Sequence, residues 1–196
     1  MKKHNFFAML SRMKYINRWG LMRNTIDENI AEHSLDTAVL AHGLAVISNT
    51  YFGGNVNVER VALLAIFHDT TEIITGDMPT PIKYFAPEIR MAYKNVEAAA
   101  GKQLLSALPK EMRYSYEDML LPDEEEKDLW RFVKAADKLS AYIKCVEEKR
   151  MGNTDFEVAE EETLTAVKAM NMKEVDYFLE QFMPAYSLTL DEQSKK

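Results

Sequence analysis

The chain has 196 residues, 47% of them apolar and 28% charged, with a formal net charge of −7. This balance excludes a disordered or fibrous chain, and the acidity disfavours general nucleic-acid binding, which needs a basic face. No apolar run approaches the roughly 18 residues of a transmembrane helix; seven glycines and six prolines, about half the usual share, are too few for the regular turns of an all-β sandwich.

The spacing of apolar residues predicts an all-α chain folded as a single domain over 1–196, since no repeat or linker interrupts it. A first helix covers roughly 4–16, with Phe6, Phe7, Leu10, Met13 and Ile16 on its core face. The basic stretch of Lys2, Lys3, Arg12, Lys14, Arg18 and Arg23 precedes the first acid, Asp27. It lacks the cleavage site of a targeting segment and reads as part of the fold or of an anion site. A second helix starts after Asn29, an N-cap with Glu32 at capping-box spacing, and runs to about Thr50. It is apolar on two stripes, one of Leu35, Ala38, Val39, Ala45 and Val46, the other of Leu40, Ala41, Leu44 and Ile47. A third helix follows Asn57, over about 57–74. Thr75–Pro81 is predicted as a loop, because Pro79 and Pro81 bias their predecessors away from helix. Further helices are predicted over about 87–107 and 109–120. The longest begins at Asp123 and ends near Arg150, with Asp123 to Glu126 at its positive dipole end. Two more cover about 155–170 and 173–183, and the polar tail after about 190 is expected to fray.

Four histidines occur, His4, His33, His42 and His68. His68 and Asp69 are adjacent near the end of the predicted third helix, with Glu72 one turn beyond His68. A His-Asp pair recurs by chance and gains meaning only from partners. His33, at the start of the second helix, is one candidate. His42 points about 180° away from it and reads as a hydrogen-bonded core residue on the Leu35, Val39 and Val46 stripe. Asp137 lies on the long helix among Trp130, Val133, Ala136, Ser140 and Ala141. It is either a ligand or one half of a salt bridge with a lysine such as Lys134. His33, His68, Asp69 and Asp137 together would offer two imidazoles and two carboxylates, a set suited to first-row divalent ions. The single cysteine, Cys145, reads as a small buried hydrophobe and fits a reducing cytoplasm.

The pattern Glu32-His33-Ser34, His68-Asp69 and Ala136-Asp137 resembles the HD superfamily of metal-dependent phosphohydrolases. Ile16-Asn17-Arg18-Trp19, Leu21-Met22-Arg23-Asn24, Phe52-Gly53-Gly54-Asn55, Thr75 to Pro81 and Asp176-Tyr177-Phe178 narrow the resemblance to the bacterial HD-domain 5′-deoxynucleotidases, from about Phe6 to Asp191. That resemblance implies hydrolysis of the 5′-phosphate of deoxyribonucleoside monophosphates by a cytoplasmic homodimer. It implies one divalent metal (cobalt, manganese or copper) held by His33, His68, Asp69 and Asp137. It makes Glu72 the acid/base group, Arg18 the phosphate grip and Trp19 the wall that excludes a ribose 2′-hydroxyl. Asp77, Met78, Pro79 and Thr80 become the sugar-contacting segment, with Asp77 on the 3′-hydroxyl, and Asp69 and Asp137 border the phosphate. Taken alone, these residues also admit plainer roles: a paired surface Glu72 and Arg18, a core Trp19 and an ordinary turn at 77–80. Two other functions stay open at this point. One is another HD-type nucleotide phosphohydrolase or phosphodiesterase. The other is a non-catalytic helical module binding nucleotides or partners, although the twelve methionines are scattered as core filling requires.

Overall fold

The computed structural model describes residues 4–83, 85–121 and 125–194; their regular structure is helical, and one isolated antiparallel bridge joins Asn17 and Asn29. The α-helices are α1 (Phe6–Leu10), α2 (Ile30–Tyr51), α3 (Val58–Phe67), α4 (Glu72–Thr75), α5 (Thr80–Lys83) and α6 (Pro87–Ser106). They continue as α7 (Glu117–Leu120), α8 (Lys127–Arg150), α9 (Glu157–Lys168), α10 (Lys173–Gln181) and α11 (Leu190–Gln193). The all-α expectation is met. Asp123, the predicted start of the longest helix, lies outside the described residues, as do Lys2 and Lys3.

Several predicted helices are shorter than their apolar periodicity suggests, for local reasons. The Ser11 hydroxyl and amide both donate to the Phe7 carbonyl, at 2.9 and 3.0 Å, and close the last turn there. Accordingly α1 ends at Leu10, and a 3-10 turn, Met13–Tyr15, follows. The third predicted helix is interrupted after Phe67. The Thr70 hydroxyl and amide both donate to the Phe67 carbonyl, at 2.7 and 3.2 Å, and close a turn over 68–71. Glu72 then opens the separate helix α4, which ends at Gly76 with a φ of +72° that glycine adopts without strain. The predicted loop over 75–81 is also shorter, because Thr80 and Pro81 begin α5. The segment predicted over 109–120 divides into a 3-10 turn, Lys110–Ser115, and α7. Within the polar tail the Thr189 hydroxyl and the Glu192 carboxylate form a reciprocal capping box on α11.

The described residues group into two compact units. The first takes in the chain up to Arg23 with Asp27–Leu35 and Ile66–Lys127. Its core is built on Phe6, Leu104, Leu108 and Leu120, with Phe67 and Tyr116 packed against it. The Tyr116 ring meets Phe6 edge-on at 5.0 Å and Phe67 at 5.9 Å. Here α6 and α7 approach so closely that a Cβ on Gly101 would lie 2.5 Å from the Leu120 carbonyl oxygen. The second unit takes in Asn24–Ile26, Asp36–Ala65 and Asp128 onward. Its buried apolar residues include Leu44, Leu64, Phe132, Leu139, Phe156 and Val175. Cys145 is buried, as expected, with the Thr163 hydroxyl 3.9 Å from its sulfur.

The second unit also contains a buried ionic cluster with no local sequence signature. Glu148, 1% exposed, accepts from the Thr25 amide at 2.9 and 3.1 Å, from the Ile26 amide at 3.2 Å and from the Asn153 amide group at 2.7 Å. Lys144 donates to Glu148 and to the Ile26 carbonyl. Burial pushes the Glu148 carboxyl up, but the bonds from Lys144, Asn153 and Thr25 outweigh it and hold it at about 2. His42 does not occupy the core position predicted for it. It is exposed, and so is its stripe, with Leu35, Val39 and Val46 at 62%, 64% and 40%. A helix apolar on both stripes gives no signal for which one the core covers; here it covers Leu40, Ala41, Leu44 and Ile47, and of the first stripe only the small residues Ala38 and Ala45.

Candidate active site

The start of α2 is set by Asn29. Its side-chain oxygen accepts from the Ala31 and Glu32 amides at 3.0 and 3.1 Å, and the Glu32 carboxylate accepts from the Asn29 amide at 3.3 Å. This is the predicted capping box, and it fixes the turn that carries His33. The Asn17–Asn29 bridge lies beside it: the Arg18 amide donates to the Glu28 carbonyl at 2.9 Å, and the Ile30 amide to the Ile16 carbonyl at 3.0 Å. Arg18 and Trp19 are thereby placed next to the start of α2.

His33 is fully buried, and its ring centroid lies 5.1 Å from that of His68. Asp69 Oδ2 stands 3.4 Å from His33 Nε2 and 3.1 Å from His68 Nε2. One ligand atom from each of these three residues lies within 4.8 Å of the other two. Two imidazoles and a carboxylate at this separation fit a first-row divalent cation. Burial would raise the Asp69 carboxyl, but the adjoining His68 and His33 rings hold it well below the usual carboxylate range. The turn that interrupts the helix after Phe67 is what presents His68 and Asp69 together.

Glu72 is 6% exposed, and its Oε2 has no hydrogen-bond partner among the described residues. Burial, and then the charges of Asp69 and Asp77, push its carboxyl up to about 9 against the opposing pull of Arg18 and Lys83. Without a bound cation it is therefore a neutral acid near pH 7. Asp77 is partly buried and also raised, chiefly by burial, although Arg18 and a backbone hydrogen bond from Trp19 work the other way. Met78 and Pro79 are partly buried, Thr80 is exposed, and the Pro79 carbonyl accepts from the Ile82 and Lys83 amides at 2.9 and 3.1 Å. Asp137 lies on α8, half-buried and in the second unit. The other ten predicted residues all belong to the first unit.

One residue near this cluster carries no signal in the sequence. The Glu28 carboxylate accepts from Arg18 Nη1 at 3.0 and 3.1 Å and from the Trp19 indole N–H at 2.9 Å. Its Oε1 lies 3.7 Å from His33 Nδ1. Arg18 Nη1 also lies 2.9 Å from His33 Nδ1. Trp19 has a φ of +58°, a left-handed backbone that costs a tryptophan roughly 1–3 kcal/mol. The Met22 amide donates to its carbonyl at 2.8 Å, and Glu28 holds its ring. The only hint in the sequence is that Glu28 follows Asp27 just before the N-cap, where acids are ordinary dipole partners.

Among solved structures, the chain is similar to an HD-domain phosphohydrolase from Listeria innocua, 25% identical, with a TM-score of 0.79 over 97% of this chain and 92% of that one. It also shares its fold with the cyanophage S-2L HD phosphohydrolase, determined with dA and one catalytic Zn2+ ion; identity there is 22%, the TM-score 0.65, and coverage 93% and 96%. The fold is thus that of the HD-domain phosphohydrolases. In sequence, a 5′-deoxynucleotidase of Vibrio cholerae is 49% identical over 98% of this chain and 99% of its own length. The 5′-deoxynucleotidase YfbR of Shigella boydii is 48% identical over 100% and 98%. The YfbR-like 5′-deoxynucleotidase family profile matches residues 5–186, and the chain belongs to that family.

Proposed function

We propose that the chain hydrolyses the 5′-phosphate of deoxyribonucleoside 5′-monophosphates, releasing phosphate and a deoxynucleoside. The observation that carries this reading is the convergence of His33, His68 and Asp69 one hydrogen bond from Arg18, in a chain of the 5′-deoxynucleotidase family. His33, His68 and Asp69 would hold one divalent cation, with Asp137 as the fourth ligand. When bound, that ion supplies a Lewis acid for the phosphate oxygens and lowers the pKa of water.

The chain's own groups do the rest. Arg18 grips the phosphate and offsets charge that develops on its oxygens. Trp19 closes the space beside the sugar C2′, and Asp77 accepts a hydrogen bond from the 3′-hydroxyl. Met78, Pro79 and Thr80 line the sugar, and Asp69 and Asp137 border the phosphate. Phosphorus gains oxygen from water as its bond to the ribose 5′-oxygen breaks. Glu72 manages the proton, which passes to that departing oxygen as the attacking water loses one. The finer assignments belong to the same reading: cobalt, manganese or copper as the metal, and both units working as one domain over 1–196 in a cytoplasmic homodimer. Light scattering tests the dimer directly.

The test of the function is phosphate release by chelator-stripped protein, restored with cobalt, manganese or magnesium, on dAMP and AMP side by side. Metal-dependent release from dAMP alone is expected. Equal release from both removes the deoxy-selective reading, and no release with any metal removes the hydrolase reading.

A further inference from the structure

We propose that Glu28 is a positioning residue that sets deoxynucleotide selectivity by fixing Trp19 and Arg18 as one unit. This rests on the function proposed above, in which Trp19 is the sugar wall and Arg18 the phosphate grip. A single carboxylate, 12% exposed in its side chain, accepts from both. Oε2 takes the Trp19 indole N–H at 2.9 Å and Arg18 Nη1 at 3.0 Å, while Oε1 takes Arg18 Nη1 at 3.1 Å. The Arg18 guanidinium carbon also stands 5.9 Å from the Trp19 ring centroid. The backbones are registered as well, because the Arg18 amide donates to the carbonyl of Glu28 itself.

The left-handed φ of Trp19 is the second, independent observation. A bulky residue keeps such a backbone only where its surroundings over-determine it. The indole bond to Glu28 is a side-chain tether of that kind, and it fixes where the ring stands relative to the arginine. A wall that must reject one hydroxyl group needs that precision, since misplacement by about 1 Å costs an enzyme on the order of a hundredfold. Selectivity therefore depends on a carboxylate that need not touch the substrate.

The experiment uses full-length, metal-loaded Glu28→Ala and Glu28→Gln, with kcat and KM for dAMP and AMP. It adds Trp19 fluorescence in a Trp130→Phe background; Trp130 lies in the second unit, and its indole nitrogen is buried with no hydrogen-bond partner among the described residues. Glu28→Ala should raise KM for dAMP and lower the dAMP-over-AMP preference by about tenfold or more. Its Trp19 emission should shift to the red and be quenched more by acrylamide. Glu28→Gln, whose amide oxygen can still accept from the indole, should restore emission and preference but raise KM about threefold or more through the weakened hold on Arg18. A folded Glu28→Ala with native emission, or with native preference, overturns the proposal. If Glu28→Ala does not fold, an unchanged KM in Glu28→Gln overturns it. Native protein that hydrolyses neither nucleotide counts against the function instead, and the emission comparison still decides the role of Glu28.

Discussion

Glu72 and Glu148 are the same residue type, 6% and 1% exposed, yet their carboxyls are driven in opposite directions. Glu148 accepts from two backbone amides, Lys144 and Asn153, and stays charged down to about 2. Glu72 has an oxygen without a hydrogen-bond partner among the described residues and like charges beside it, and keeps its proton up to about 9. Burial raises both; the partners decide the outcome. A carboxylate with its hydrogen-bonding capacity filled is a structural part, and one left short is available for chemistry.

The largest expected effect tests that division at Glu72. Glu72→Ala should lower kcat by about 10²–10⁴ while metal content holds; full turnover with normal metal would remove its catalytic role. Asp137→Ala should lose metal and activity together, and metal retained at one ion per chain would remove its assignment as a ligand. Glu148→Ala should do the reverse, costing about 3–5 kcal/mol of stability by leaving Lys144 buried and unpaired, with kcat per folded molecule near native. Thermal unfolding and active-site titration separate the two.

The pH dependence sharpens the contrast because its signs oppose. Glu148 is depressed, so its stabilisation is complete above its unfolded pKa of about 4.3 and is lost as pH falls through about 2. Glu72 is raised, so chelated protein loses stability as pH climbs from about 4.3 towards about 9. Glu72→Gln should flatten the second slope and leave the first. Smaller still, Gly101→Ala should cost about 1–3 kcal/mol by forcing α6 off the Leu120 carbonyl. His42→Ala should change stability by less than about 0.5 kcal/mol, since the side chain is exposed.

Local chemistry was legible in the sequence and long-range chemistry was not. The Asn29 and Glu32 cap is written within four residues, and spacing points to His33, His68, Asp69 and Asp137, of which the first three converge in the first unit while Asp137 lies in the second. The break after Phe67 leaves no mark in the apolar spacing, because it depends on one threonine hydroxyl turned back onto a carbonyl. His42 was misplaced because apolar periodicity on two stripes cannot say which one is covered. Glu148 and Glu28 were invisible for a shared reason: each acts through partners that the fold supplies, Thr25 and Ile26 for one, Arg18 and Trp19 for the other.

Glu148 also makes a short non-helical stretch as durable as the helix that holds it. The Thr25 and Ile26 amides both donate to Glu148, and Lys144 donates to the Ile26 carbonyl. Those two amides should therefore exchange with solvent at rates set by opening of the buried cluster rather than by local fraying. Glu148→Ala should release both into fast exchange.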